Sequence, residues 1–380
     1  MPLTPLDGDR LREALALAEQ SIGLSDPNPR VGCIIGREDG TLLGRGYTQE
    51  AGGPHAEIVA LRDAKSAGGD VRGATAWVTL EPCAHHGRTP PCCDALIAAG
   101  VARVVVAVGD PSPLVAGGGL ARLRAAGIDV SMADEQLARA ARELNVGFFS
   151  RIERGRPWVR MKVAISLDGR TALQNGVSQW ITGEAARADG HAWRRRAGAI
   201  LTGVGTVLAD NPRLDVRLVP TRLQPLRVVL DSTLRMPTGA RLLLPPGKSL
   251  IVGGKGEPER RAALEAQGAE VLLLPDRAGR ADIDALLVLL AAREVNEAHV
   301  EAGPTLNGAL LAGGLVDELL VYQAPLLIGP GHTLATLPAL TRLLDAPRFR
   351  IAEVAPCGGD LRLRLTREPS TFLTDPTRES

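Results

Sequence analysis

Residues 80–93 read Leu-Glu-Pro-Cys-Ala-His-His-Gly-Arg-Thr-Pro-Pro-Cys-Cys, so that soft donors crowd a stretch bounded by ordinary aliphatic sequence. Upstream, Pro-His-Ala-Glu at 54–57 follows a Gly-Gly pair and opens an amphipathic stretch. One imidazole, His55, and two thiolates, Cys83 and Cys92, make a donor set of the kind zinc prefers, with a fourth position left for water. A zinc ion lowers the pKa of such a water to roughly 7, which makes hydrolysis feasible at neutral pH. Hydrolytic deamination also needs a proton carrier that is not a ligand. Glu57, two residues from His55, is placed for it. A helix starting near Cys92 would further favour its thiolate.

Plainer readings stand beside this one. Cys83 and Cys92 could be small buried residues, or part of a structural zinc knuckle with Cys93, His85 or His86 as fourth ligand. The order of His-x-Glu and Glu-Pro-Cys, set between strand and helix signals, favours the catalytic reading. Cys93 is expected to pack, because adjacent side chains rarely reach one metal, and Cys33 and Cys357 read as core residues. His85, His86 and Arg88 either bind a substrate phosphate or are simply solvated. Asn28, in a Pro-framed turn, could hydrogen-bond a pyrimidine edge or only stabilise the turn.

The second half offers less. No strand-linked GxGxxG with a following acidic residue occurs. VEAGPTLNGAL (300–310) reads as a strand ending at Glu301, a Gly-Pro turn and a helix from about Thr305. Amides at that helix start would suit a pyrophosphate; an ordinary tight turn is the alternative.

These residues need elements to hold them. Leu11, Leu15, Ala18 and Ile22 recur at helical spacing and predict a helix over 8–23. Strands are expected at VGCIIG, around Leu42–Tyr47, at ATAWVTL and at ARVVVAVGD; helices at AEIVALRDAKSA and CDALIAAG, the latter stopped by Gly100. A further helix–strand–helix closes near Phe149, which completes a three-layer α/β pattern. ERGRPW (153–158) separates two self-sufficient apolar patterns, giving domains over 1–152 and 157–368 and a flexible tail at 369–380. In the second domain VRMKVAIS, AGAILTG, LRVVLDS, KSLIVGG, EVLLLP, EAHVEAG and DELLVYQAP read as strands.

Composition narrows the function classes. The net charge is +1 and aromatics are 3%, which argues against a nucleic-acid binder: there is neither a global positive field nor material for base stacking. The N-terminus lacks a basic start followed by an apolar run, and the aliphatic run at Ala281–Ala292 is too short to span a bilayer. Five cysteines, three of them between 83 and 93, suit a metal site in a reducing compartment, so a cytoplasmic protein is expected.

The His-x-Glu plus Pro-Cys constellation resembles the zinc-dependent nucleoside and nucleobase deaminases, although eight residues rather than two separate the cysteines. HAE, EPC and the long CAHHGRTPPC insertion, flanked by PNPRVGCIIG (27–36) and DPSPLVAGGGL (110–120), resemble the deaminase domain of the bifunctional riboflavin-biosynthesis proteins. Ser112 stands where that family usually has Asn. MKVAISLDGRTA (161–172), SQWITG (178–183), ILTGVGTVLADNPRLDVR (200–217) and VEAGPTLNGALL resemble the reductase domain of the same family, from about Pro157 to Pro330.

The resemblance implies an α/β fold class: a three-layer cytidine-deaminase-like domain followed by a dihydrofolate-reductase-like α/β domain. It implies one zinc per chain on His55, Cys83 and Cys92, with Glu57 as the catalytic proton carrier. It implies NADPH as second cofactor, contacted by Ala164, Trp180, Thr206, Asp210, Ser232, Gly303, Pro304, Thr305, Leu306, Asn307, Gly308 and Ala309. Ser178, Arg194, Leu214, Arg217 and Glu301 would line the substrate site, with Arg194 and Arg217 able to grip a sugar phosphate. Trp180 in the core and Arg194 on a solvent-facing helix are the structural alternatives. The implied partner is a small pyrimidine nucleotide-like substrate, not a nucleic acid or a membrane; self-association into a homo-oligomer is compatible with it. Two consecutive reactions follow: hydrolytic deamination of 2,5-diamino-6-ribosylamino-4(3H)-pyrimidinone 5′-phosphate, then reduction of its ribosyl group to a ribityl chain.

Overall fold

A computed structural model of the chain describes residues 3–84, 91–112 and 117–368; the expected tail at 369–380 and the loop residues His85, His86 and Arg88 lie outside them. Contacts divide the chain into two compact units, Met1–Pro157 with Ala291–Asn296, and Trp158–Leu290 with Glu297–Ser380. None of the described helices is long and apolar enough to cross a membrane.

The first unit opens with helix α1 (Pro5–Ala18). It starts earlier than hydrophobic spacing predicts, because Thr4 and Asp7 cap each other. The Asp7 N–H donates to Thr4 Oγ1 at 3.2 Å and the Thr4 N–H to the Asp7 carboxylate at 2.8 Å, ahead of a proline at the first helical position. Strands β1 (Gly32–Gly36), β2 (Leu42–Tyr47), β3 (Thr75–Val78), β4 (Arg103–Val106) and β5 (Asp129–Met132) form one sheet in the order β2-β1-β3-β4-β5. Only β1 runs antiparallel to its neighbours. Alternation along β1 splits the core. Cys33 and Ile35 face a cluster with helices α2 (Ala56–Ser66), α3 (Cys92–Ala98) and α4 (Gly118–Ala125), while Ile34 faces α1 and α5 (Glu135–Leu144). Helix α6 (Val146–Arg154) closes the unit.

One packing detail bears on function. Helix α2 turns Ala56, Ala60 and Ala64 inward, and opposite them β2 carries Gly44 and Gly46. A Cβ on Gly46 would stand 2.4 Å from the Ala56 carbonyl oxygen, and one on Gly44 2.3 Å from that of Ala60. Small residues on both sides therefore seat α2 directly on the sheet and fix the position of its first turn.

The second unit contains β6 (Trp158–Ile165), β7 (Arg170–Leu173), α7 (Glu184–Arg196), β8 (Ala199–Gly203), α8 (Val204–Asp210), β9 (Leu226–Leu230), β10 (Ser249–Gly253), α9 (Pro258–Glu265) and β11 (Glu270–Leu273). After these come α10 (Ile283–Ala292), β12 (Glu297–Val300), α11 (Pro304–Ala312), β13 (Glu318–Gln323), β14 (Gly331–Thr333), β15 (Phe349–Cys357) and β16 (Asp360–Arg367). Nine strands order as β11-β10-β9-β8-β12-β6-β13-β16-β15; pairs from β11 to β13 are parallel and the last two antiparallel. A separate ribbon pairs β14 with β7.

Charges are buried at the centre of this sheet. Arg160 on β6 donates to Glu297 on β12 at 2.6 Å and to Glu318 on β13 at 3.0 Å, and all three side chains are 1% exposed. Trp158 Nε1 and Arg364 also donate to Glu318, and Arg196 to Glu297. Burial opposes the Glu318 charge, but the Arg160 guanidinium overrides it and holds the carboxylate down at about 2.

Candidate active sites

His55 is the N-cap of α2 and Cys92 the first residue of α3, while Cys83 follows the end of β3 by five residues. Their ligand atoms lie within 4.8 Å of one another. His55 Nδ1 is 3.3 Å from Cys92 Sγ and 3.7 Å from Cys83 Sγ. Tetrahedral zinc with ordinary bond lengths separates nitrogen from sulfur by about 3.5 Å, so this donor set fits the ion. The Cys92 N–H donates to Cys83 Sγ at 3.3 Å. Contact with the Cys92 thiol holds the Cys83 thiol down at about 4, with help from His55, and the same contact pushes Cys92 up.

Cys93 differs from its neighbour. It is fully buried, its thiol donates to the carbonyls of Pro82 at 3.2 Å and Gly119 at 3.6 Å, and burial pushes it up to about 12. Cys92→Ser is therefore expected to lose zinc and Cys93→Ser to retain it. Elemental analysis of the purified variants checks this, and the reverse pattern would mean that the ligand is the other cysteine.

Glu57, two residues into α2, is buried and opens onto a cavity of about 370 Å³ shared with His55, Cys83, Asn28, Asp110 and Ser112. Burial pushes its carboxyl up, against the pull of His55. Glu81, quoted within the EPC motif but given no role there, lines the same cavity. Its carboxylate accepts from the amides of Asp110 at 3.3 Å, Gly117 at 3.1 Å, Gly119 at 3.0 Å and Leu120 at 3.3 Å. It thus ties the segment carrying Asp110 and Ser112 to the strand end that carries Cys83. Nothing local in the sequence signals this, since the partners lie about thirty to forty residues away.

In the second unit a cleft of about 1270 Å³ opens at the carboxyl ends of the parallel strands. It brings together all the expected residues except one: Ala164, Ser178, Trp180, Arg194, Thr206, Asp210, Leu214, Arg217, Ser232, Glu301, Gly303, Pro304, Thr305, Leu306, Asn307 and Ala309 line it. Gly308 does not. Its place is against the chain at Thr336, whose carbonyl oxygen would lie 2.0 Å from a Cβ there, so this glycine serves packing. Trp180 is 68% exposed, with the Arg187 guanidinium over its ring, and is not a core residue. The volume exceeds the roughly 300–1,000 Å³ of a usual small-molecule pocket, so a dinucleotide and a second ligand fit together. Gly303 caps α11 in an extended conformation, Asn307 donates to the carbonyls of Ala302 and Leu334, and the Asn307 Oδ1 is buried with no protein partner among the described residues. A helix start and an open acceptor are features a pyrophosphate-linked dinucleotide can use.

Arg194 is held by protein partners. Its Nε and Nη2 bind both oxygens of Glu301 at 2.5 and 2.8 Å, and Nη1 donates to the Asp215 carbonyl at 2.9 Å. Burial opposes the Glu301 charge, but Arg194 outweighs it and keeps the carboxylate ionised. Arg217 spends only Nη1, on Asp215 at 2.6 Å, and stays half exposed. Lys162, absent from the sequence reading, lines the same cleft; burial lowers its pKa, against the pull of Glu301. A signal existed: in the apolar strand WVRMKVAI, Arg160 and Lys162 stand two apart, so both face one side of the sheet.

Comparison with known proteins finds matches over both halves of the chain. The cytidine and deoxycytidylate deaminase zinc-binding region matches residues 6–108, and the RibD C-terminal domain matches residues 157–363. The riboflavin biosynthesis protein RibD of Escherichia coli K12 is 47% identical over 368 residues, covering 93% of this chain and 98% of that protein. That of Aquifex aeolicus is 40% identical, covering 94% and 97%. Among solved structures, Acinetobacter baumannii RibD superposes with a TM-score of 0.86 at 40% identity, covering 96% of this chain and 99% of that one. A deaminase/5-amino-6-(5-phosphoribosylamino)uracil reductase from Thermotoga maritima gives 0.84 at 30% identity, with the same coverage.

Proposed function

The chain belongs to the RibD family of riboflavin biosynthesis proteins, and from that premise we propose which of its residues perform each step. It is a bifunctional enzyme: a zinc-dependent pyrimidine deaminase followed by an NADPH-dependent reductase of dihydrofolate-reductase type. The deaminase is assigned to residues 1–152 and the reductase to 157–368. Five free cysteines suit a reducing compartment, which supports a cytoplasmic location.

In the first reaction His55, Cys83 and Cys92 would hold zinc, which would supply the acidification of the attacking water. Glu57 takes a proton from that attacking water as the water oxygen adds to carbon 2 of the pyrimidine. Glu57 then returns a proton to the departing nitrogen, the carbon–nitrogen bond breaks and ammonia leaves. A carboxyl raised by burial is suited to both halves of that exchange. Asn28, Asp110 and Ser112 offer polar groups to the pyrimidine edge, and Glu81 holds the last two in place.

In the second reaction NADPH, when bound, supplies the hydride for the anomeric carbon of the ribosyl group. As the bond from that carbon to the ring oxygen opens, the oxygen needs a proton. Arg194 is charged and spent, and Glu301 is held ionised, so neither supplies it. His191 is held neutral at about 4, by burial first and by the Arg194 charge second. Burial shifts two cleft groups toward their neutral forms, Asp210 upward and Lys162 downward, and of these we assign the acid to Lys162 on β6, beside Glu301. Arg217, with donors to spare, takes the substrate phosphate.

The observation that carries this reading is the buried Glu57 opening onto the same cavity as His55 and Cys83. The test incubates the purified full chain with the diaminopyrimidine nucleotide, with and without NADPH, and weighs the products. Exchange of an amine for oxygen without NADPH, followed by addition of two hydrogens with it, is expected. An unchanged substrate under both conditions would overturn the assignment.

A further inference from the structure

NADPH and NADH differ in one group, a phosphate of charge about −1.5 to −2 on the adenosine ribose. A site that prefers NADPH must therefore offer unspent cations where that ribose lies. Seven arginines line the cleft: Arg187, Arg194, Arg213, Arg217, Arg235, Arg241 and Arg280. Four donate to protein acceptors: Arg187 to the Thr182 carbonyl, Arg194 to Glu301, Arg213 to Asp215 and Arg280 to Asp276. Arg217, which also meets Asp215, is already assigned to the substrate phosphate. The guanidinium groups of Arg235 and Arg241 have no hydrogen-bond or ion-pair partner among the described residues.

The backbone holds both where they can serve. Arg235 stands between Leu234 and Met236, both fully buried in the core, so its own side chain faces outward. The Met236 N–H donates to the Asp231 carboxylate at 2.7 Å and fixes this loop at the end of β9. Arg241 stands between buried Ala240 and Leu242, and its N–H donates to Asn211 Oδ1 at 2.8 Å, just beyond α8. The sheet order β9-β8-β12-β6 sets these groups at one side of the cleft and Lys162 at the other. Three strand spacings separate β6 from β9, about 14 Å, with the start of α11 between them after β12. A dinucleotide with its nicotinamide by Lys162 and its pyrophosphate at α11 puts its adenosine over β9. Of the carboxylates at that end, Asp276 is held by Arg280, Asp282 accepts from the Ala285 amide at 2.9 Å, and Asp284 sits in the first turn of α10.

We propose that Arg235 and Arg241 bind the 2′-phosphate of NADPH and so make this cleft discriminate against NADH. The proposal rests on the reading of the cleft as the dinucleotide site. Full-length wild type, Arg235→Ala, Arg241→Ala and the double variant are titrated calorimetrically with NADPH, NADH, 2′,5′-ADP and 5′-AMP. Affinity for NADPH and 2′,5′-ADP should fall roughly ten- to hundredfold with loss of these charge-assisted bonds. Affinity for NADH and 5′-AMP should hold within about twofold, since those ligands lack the phosphate. Arg→Lys at each position should recover part of the NADPH affinity, because lysine keeps the charge without the fork. Parallel weakening of NADPH and NADH, unchanged NADPH affinity, or a wild type that binds the two equally would overturn the assignment. A wild type that prefers NADPH yet reduces no pyrimidine would sink the proposed function and leave this inference standing.

Discussion

In Glu57→Gln, deamination is expected to fall about 10²–10⁴-fold, roughly 3–5 kcal/mol in the barrier, while the zinc content stays at that of the wild type. The amide matches the carboxylate in size, so the buried site between α2 and the sheet keeps its packing. What disappears is the capacity to take a proton from water and hand one to the leaving nitrogen. The reductase cleft lies in the other unit, so reduction of pre-deaminated substrate should proceed at the wild-type rate. Steady-state ammonia release, metal analysis and NADPH oxidation on the same preparation give the three readouts. Near-normal ammonia release would remove Glu57 from the mechanism, and loss of zinc would make it a ligand instead.

Lys162→Met should do the converse. Methionine fills nearly the same volume on β6, so the strand and the cleft wall stand, but the proton for the opening ring oxygen is gone. Reduction should drop by about 10²–10⁴-fold with deamination untouched and NADPH binding close to normal. The pH profile adds a second check. Burial lowers the Lys162 pKa, so the wild type should lose reductase activity as pH rises through a value below the ordinary lysine figure of about 10.4. The variant's residual rate should lack that limb. A variant that retains full reductase activity would mean that the proton comes from solvent.

How much of this was legible in the sequence depended on the distance over which each feature is built. The ligands His55, Cys83 and Cys92 each sit at an element boundary marked by local residues: Gly-Gly-Pro before α2, Glu-Pro-Cys after β3, Pro-Pro-Cys opening α3. The strands of the parallel sheet declare themselves as apolar runs because both faces are covered. The cofactor and substrate residues of the cleft came from family resemblance, not from periodicity. The hairpin of β15 and β16 has a legible sequence pattern as well. DLRLRLTR alternates with period two, and a Gly-Gly turn precedes it. Glu81 and the spent state of Arg194 could not be read, because each depends on partners that only the fold brings near. The ribbon of β7 and β14 is of the same kind, two short strands some 160 residues apart.

The triad of Arg160, Glu297 and Glu318 constrains the routes by which sequences of this chain can drift. Removing one member strands its buried partners and costs about 3–5 kcal/mol, a large share of the 5–15 kcal/mol that holds a domain folded. Replacing all three together by apolar residues of matching volume is often neutral or better. Folded sequences with and without the triad can therefore exist, yet each single-step path between them passes through a protein that has lost a large share of its stability. A lineage that once acquired these charges is held to them by its own history, regardless of whether any ligand needs them.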